Sequence, residues 1–167
     1  MTAGTAPTSA PATQPIEAWP MQLGKPLPSP QDPFFRPADG WEKATPGTPL
    51  RRRRVQIGFF GIFPLKLHAW QVLYRSTDLH GAPETTVTTV LVPKNATSES
   101  PLLAFQSAID AVTPKRFPSY YLQHRTFGIN QSQNEFLLAV AALQRGWIVT
   151  ISDHEGPKGL WMAPKQP

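Results

Sequence analysis

The 167 residues are enough for one domain of ordinary size and too few for two large ones, and 40% hydrophobic with 16% charged residues is a globular composition slightly poor in charge. The net charge of +5 raises nucleic acid as a partner, but the excess is concentrated in Arg51, Arg52, Arg53 and Arg54 without a recognition helix or a basic-aromatic platform, so no nucleic-acid binding is expected. The absence of cysteine excludes disulfides and thiolate metal sites.

Of the 20 prolines, 11 fall within the first 50 positions, and that third of the chain cannot be regular helix or central strand because proline lacks the N–H both require. Residues 1–30, rich in Thr, Ala, Pro and Ser, read as a disordered or extended arm. No Lys or Arg precedes Lys25 and no apolar core segment follows, so the start does not resemble a signal peptide. Residues 32–48 are rich in proline and aromatics and are expected to lie over the domain, anchored by Phe34, Phe35 and Trp41. The longest apolar stretch, Phe59 to Leu65, is interrupted by Gly61 and Pro64 and is far too short to span a bilayer.

Strand patterns follow. Residues 53–60 are a weak candidate, whereas 69–77 and 85–92 are rich in β-branched and aromatic residues. The turn chemistry of Asp78 to Pro83 between them predicts an antiparallel hairpin. Leu102 to Gln106 reads as a short buried central strand. A helix is predicted over 131–145, with Ser132 and Glu135 at capping-box spacing, Phe136, Leu137, Val140, Ala141 and Gln144 in helical register, and Gly146 as its stop. Trp147 to Ser152 is a second buried strand. A strand, helix and strand in this order imply a right-handed parallel crossover. The fold class is therefore α/β, an incomplete α/β-hydrolase layout in which antiparallel N-terminal strands lead into a parallel sheet. With two parallel strands before Pro167, one sheet edge is expected to be open, a liability that proteins usually close.

The catalytic motifs are informative mainly by what is missing. The sequence has no G-x-S-x-G, no Walker loop, no G-x-G-x-x-G and no H-E-x-x-H, and His68, His80, His124 and His154 share no metal-ligand spacing. Ser152, Asp153 and His154 bring the residue types of a triad side by side, yet neighbours on an extended chain point to opposite faces. Two segments close predicted strands at the C-terminal rim, where open α/β sheets bind ligands. In the first, Phe105 to Ala111, Asp110 either caps a local turn or belongs to a loop that supplies an oxyanion-hole donor, a contribution of roughly 3–4 kcal/mol. In the second, Asp153 to Pro157, the residues either form a sharp turn or place two acids beside a histidine in a network that steers rim loops.

At these segments the chain resembles the secretory lipase family. The resemblance is carried by Asp32-Pro33-Phe34-Phe35, Gly40-Trp41-Glu42, Pro46-Gly47-Thr48, Leu73 to Asp78, Thr88 to Pro93, Gln106 to Asp110 with Pro118-Ser119-Tyr120, and Gly146-Trp147 before Asp153 to Pro157. It runs from about Asp32 to the last residue. It implies an α/β-hydrolase fold, triacylglycerol lipase or carboxylesterase activity on lipid or small ester substrates, no cofactor, and export to the outside or cell envelope. It also implies that Asp110 matches the family's oxyanion-hole aspartate, through a protonated carboxyl or its backbone N–H. The family's nucleophile lies in a Gly-Tyr-Ser-Gly-Gly-type elbow that is not found here, so the nucleophile and triad are expected outside this chain. Two readings result: the N-terminal portion of an ester hydrolase acting through a serine acyl-enzyme, or a truncated, non-catalytic product that at most binds acyl chains or a partner.

Overall fold

The computed structural model describes residues 18–107, 113–126 and 131–154. Its strands are β1 (Pro49–Arg54), β2 (Gly58–Phe59), β3 (Phe63–Pro64), β4 (Leu67–Thr77), β5 (Pro83–Pro93), β6 (Leu102–Phe105) and β7 (Ile148–Ser152), and its helices are α1 (Pro118–Tyr121) and α2 (Gln131–Gln144). Five strands form one sheet in the order β1-β4-β5-β7-β6, while β2 and β3 make a separate ribbon. The predicted hairpin is present and longer than expected, pairing Leu67 with Pro93 at one end and Thr77 with Pro83 at the other. Asp78 sets its turn: Oδ1 accepts from the backbone N–H groups of His80 and Ala82, both at 2.9 Å. Gly81, at φ +83°, occupies the left-handed position that this turn requires.

Strand alternation determines which side of the hairpin is buried. Ala69, Gln71 and Leu73 share one face of β4, and they pair with Leu91, Thr89 and Val87 of β5. The main core adds Val149 and Ile151 of β7 with Phe136, Ala139, Ala142 and Leu143 of α2. Leu137, placed by sequence on the core side, is instead exposed with Leu138. At about 100° per residue, the face that carries Phe136, Ala139, Ala142 and Leu143 lies nearly opposite Leu137, so Leu137 turns to solvent. The predicted stop is realised: Trp147 donates to the Ala142 carbonyl and Gly146, at φ +80°, to that of Leu143, the paired bonds of a Schellman cap.

The parallel crossover is present, with β6 and β7 parallel and β7 antiparallel to β5. The expectation of a buried central strand at Leu102 fails, because no residue of β6 is buried and Leu102 is 66% exposed. Leu103 and Phe105 are half-buried against the main core while Leu102 and Ala104 face solvent, and among the described residues β6 is an edge strand with a neighbour on one side only. The weak candidate at 53–60 also changes. The strand is β1, ending at Arg54, and the chain then turns into the β2–β3 ribbon.

The proline-rich segment does lie over the sheet, and Phe34 packs with Leu73 and Val87 in a second core cluster. Arg53 holds it there. Of the arginine run, Arg53 is the member that points inward, with its guanidinium 4.0 Å from the Phe34 ring centroid and Nη1 donating to Asp32 Oδ2 at 2.7 Å. Asp32 also accepts the Phe34 N–H through Oδ1 at 2.9 Å, capping the turn. Burial pulls the Arg53 pKa down, and the Asp32 charge opposes that shift. Beyond Arg53, Gln22 N–H donates to the Arg54 carbonyl and Arg54 N–H to the Pro20 carbonyl, so the chain near Met21 lies along the outer edge of β1.

Asp32→Ala leaves a buried guanidinium without its counter-charge, and should cost about 3–5 kcal/mol in denaturant unfolding. Asp32→Asn, which keeps the turn cap, should cost less. An unchanged unfolding midpoint for Asp32→Ala would contradict a structural role for the pair.

Candidate active site

The C-terminal ends of β6 and β7 lie side by side because Phe105 pairs with Ile151. Just beyond each strand is a buried polar residue, Ser107 two positions after β6 and Asp153 directly after β7. The α1 turn lies against both. Ser107 Oγ and Tyr121 Oη are 2.8 Å apart, and Ser107 also donates to Glu135 Oε2 of α2 at 3.4 Å. Asp153 Oδ1 accepts the Ser119 N–H at 2.9 Å, and the Ser119 hydroxyl also bonds its carboxyl. The Ser119 carbonyl accepts from Gln71 Nε2 at 2.6 Å and from Gln123 Nε2 at 2.7 Å. Pro118 at the first helical position starts this turn, because its missing N–H would have had no partner there.

Burial dominates the titration of these groups. It pushes the Asp153 carboxyl up to about 7, against the opposing effect of the two Ser119 hydrogen bonds. It pushes the Tyr121 phenol up to about 12, leaving it a neutral donor for Ser107 or acceptor from it. Tyr74, hydrogen-bonded to Ser152, is raised for the same reason. The rim thus carries buried, interlocked hydroxyl, phenol and carboxyl groups. The hydroxyls of Ser107, Ser119 and Ser152 are each engaged by a phenol or carboxyl, and the first two are buried. That arrangement fixes a structure and does not activate a nucleophile, which needs an adjacent base and access to substrate.

Asp110 lies outside the described residues, as do Ala108, Ile109, Ala111 and Glu155 to Pro157. Asp153 and His154 point apart as extended neighbours must, the first buried and the second exposed. Glu135 is found against Ser107, and the Ser132 side chain lies outside the described residues. Among the described residues, no three His, Asp or Glu side chains gather closely enough to hold a metal ion. Sequence reasoning passed over Tyr121 and Gln71. Gln71 had a usable signal, a polar residue at an inward position of an otherwise apolar strand face.

Residues 121–167 match the family described as secretory lipase. A probable inactive lipase of Mycobacterium tuberculosis is 47% identical over 146 residues, which is 86% of this chain and 33% of that protein. Lipase A of Arthroderma benhamiae is 42% identical over 160 residues, 90% of this chain and 34% of that protein. The X-ray structure of Candida antarctica lipase A in its closed state superposes with a TM-score of 0.66 at 25% identity, covering 81% of this chain and 32% of that one. Over this span the chain is similar to the secretory lipases.

The chain spans about a third of the length of these curated relatives. Its sheet is the corresponding part of the α/β fold of lipase A, as the resemblance in sequence implied. Within this lipase-like segment, Asp153 joins β7 to α1.

Asp153 should make stability fall with rising pH. Its native pKa is raised, so from about pH 4 to about pH 7 the unfolded chain releases a proton that the native state keeps. The contribution is fully present below that window and lost above it. Asp153→Asn should flatten this slope and be the more stable protein at pH 8, by on the order of 2–4 kcal/mol. Denaturant unfolding across the window decides the matter, and equal slopes for both proteins would contradict the assignment.

Proposed function

We propose that this chain is the N-terminal portion of a secretory-type triacylglycerol lipase or carboxylesterase. Residues 31–167 form the first part of its α/β-hydrolase domain, with residues 1–30 as a preceding arm. The observation that supports the reading best is the sheet: an antiparallel pair leading into a parallel pair through a helical crossover, shared with a lipase over a third of its length. The segment after β6 leaves the rim where a developing oxyanion is met in this fold class. By resemblance Asp110 supplies one donor there, and the nucleophile and triad are contributed from outside this chain. The substrate class is a lipid or small ester, without a cofactor. Several relatives are named secreted triacylglycerol lipases, which supports an extracytoplasmic location for the complete protein.

A second reading is a non-catalytic remnant, favoured by the 47% identity to a protein named a probable inactive lipase. Expressing the complete reading frame and assaying it separates the two. Hydrolysis supports the enzyme, and a frame without a nucleophile elbow supports the remnant.

The 167-residue chain by itself should not turn over a short p-nitrophenyl ester. Turnover above a heat-treated control, abolished by a fluorophosphonate, would contradict the reading. In a complete active enzyme, Asp110→Ala should lower kcat by roughly 100-fold while KM moves little, and Asp110→Asn should retain more activity. Near-full kcat in a folded Asp110→Ala protein would reduce Asp110 to a turn cap.

A further inference from the structure

The apolar stretch Phe59 to Leu65, too short to cross a bilayer, forms the tip of the β2–β3 ribbon. Phe59 pairs with Phe63 and Gly58 with Pro64, so Phe60, Gly61 and Ile62 make the turn. Phe60 is at φ +52° and Gly61 at φ +67°. Glycine accepts that conformation readily, but a bulky aromatic does so only under strain, and retained strain of this kind clusters at functional positions. The tip is also the wrong polarity for an exposed turn: Ile62 is 45% and Phe63 64% exposed, and Pro64 is exposed beside them.

The ribbon is braced rather than loose. Gly58 donates to the Leu122 carbonyl at 2.9 Å, Arg125 N–H to the Gly61 carbonyl at 2.7 Å, and Leu65 to the Ile57 carbonyl at 2.9 Å. A Cβ on Gly58 would stand 2.8 Å from the His124 Cα, so that position needs glycine for close approach. The apolar tip is therefore presented by a fixed base. That base is cationic, with Lys66 and Arg125 exposed beside the ribbon. No Asp or Glu occurs between Glu42 and Asp78, nor between Asp110 and Glu135.

We propose that the β2–β3 tip is a docking element for an anionic lipid–water interface, with Ile62 and Phe63 entering the acyl boundary and Lys66 and Arg125 at the phosphate layer. Exposed apolar side chains at Ile62, Phe63 and Pro64 flanked by the exposed cations Lys66 and Arg125 match the chemistry of such a surface. Two-residue strands offer too short an edge to pair with another chain, which disfavours a protein strand as the occupant. The inference goes beyond ester hydrolysis and needs no nucleophile, so it stands or falls separately from the proposed activity.

The test uses the 167-residue chain and sedimentation with vesicles of phosphatidylcholine, with and without phosphatidylglycerol. Ile62→Ser with Phe63→Ser should lower partitioning to the mixed vesicles by roughly tenfold or more. Lys66→Gln with Arg125→Gln should weaken binding to the mixed vesicles, in a salt-sensitive way, and leave the weaker binding to pure phosphatidylcholine unchanged. Leu137→Ser with Leu138→Ser, on the exposed side of α2, should change neither. Because the chain has no cysteine, Phe63→Cys gives a unique site for an environment-sensitive dye, and Leu138→Cys gives its control. The dye at 63 should blue-shift and brighten on the mixed vesicles while the dye at 138 does not. No binding to either vesicle, a water-like dye at 63 on vesicle-bound protein, or loss of binding with the α2 variant in place of the tip variant would each overturn the proposal.

Discussion

Gln71 has no solvent exposure, and on the buried face of the sheet β1, β5 and α1 meet at its amide. A buried amide must find partners for an acceptor and two donor hydrogens. Here Oε1 accepts from Arg53 Nε and Nη2, at 2.9 and 2.7 Å, and Nε2 donates to the Ser119 carbonyl and to Thr89 Oγ1. The result is a continuous buried line, Asp32 to Arg53 to Gln71 to Ser119 to Asp153. It ties the proline-rich segment on one side of the molecule to the rim on the other. Such a line stabilises only when every member is satisfied, because the low dielectric that strengthens each bond also makes a missing partner costly.

That line explains how the described part of the rim is held together. α1 is four residues long and far too short to persist by itself. It is held by the Gln71 and Gln123 amides at the Ser119 carbonyl, by Asp153 at the Ser119 N–H, and by the Tyr121–Ser107 bond. The parallel part of the sheet contrasts with this. β6 rests on β7 through four paired residues and contributes no buried side chain. A segment spanning a third of its lipase relatives thus has one well-satisfied side and one apolar edge.

What could be read in the sequence follows from whether the cause was local. The β4–β5 hairpin was legible because alternation, β-branched residues and the Asp78–Gly81 turn all act within a few positions. The same holds for α2 and its cap at Gly146, and for the opposed directions of Asp153 and His154. The four arginines were read only as charge. That Arg53 is buried depends on Asp32 and Phe34 arriving from elsewhere, which no periodicity within the run reveals. β6 was misread for the converse reason: its apolar residues suit a central strand, yet among the described residues it pairs on one side only. The rim was half legible. Residues 106–110 and 153–157 were singled out, but Tyr121 and Gln71 act across 14 and 48 positions of sequence, at Ser107 and Ser119.

The central claim is that the buried line makes α1 part of the sheet's cooperative unit rather than a surface loop. Native-state hydrogen exchange of the Ser119 amide tests this most directly. The N–H donates to a buried carboxyl, so it should exchange only through the opening that releases the central amides of β4 and β5, with the same denaturant dependence. Exchange of Ser119 at the rate of exposed turn amides, while β4 and β5 remain protected, would contradict the account.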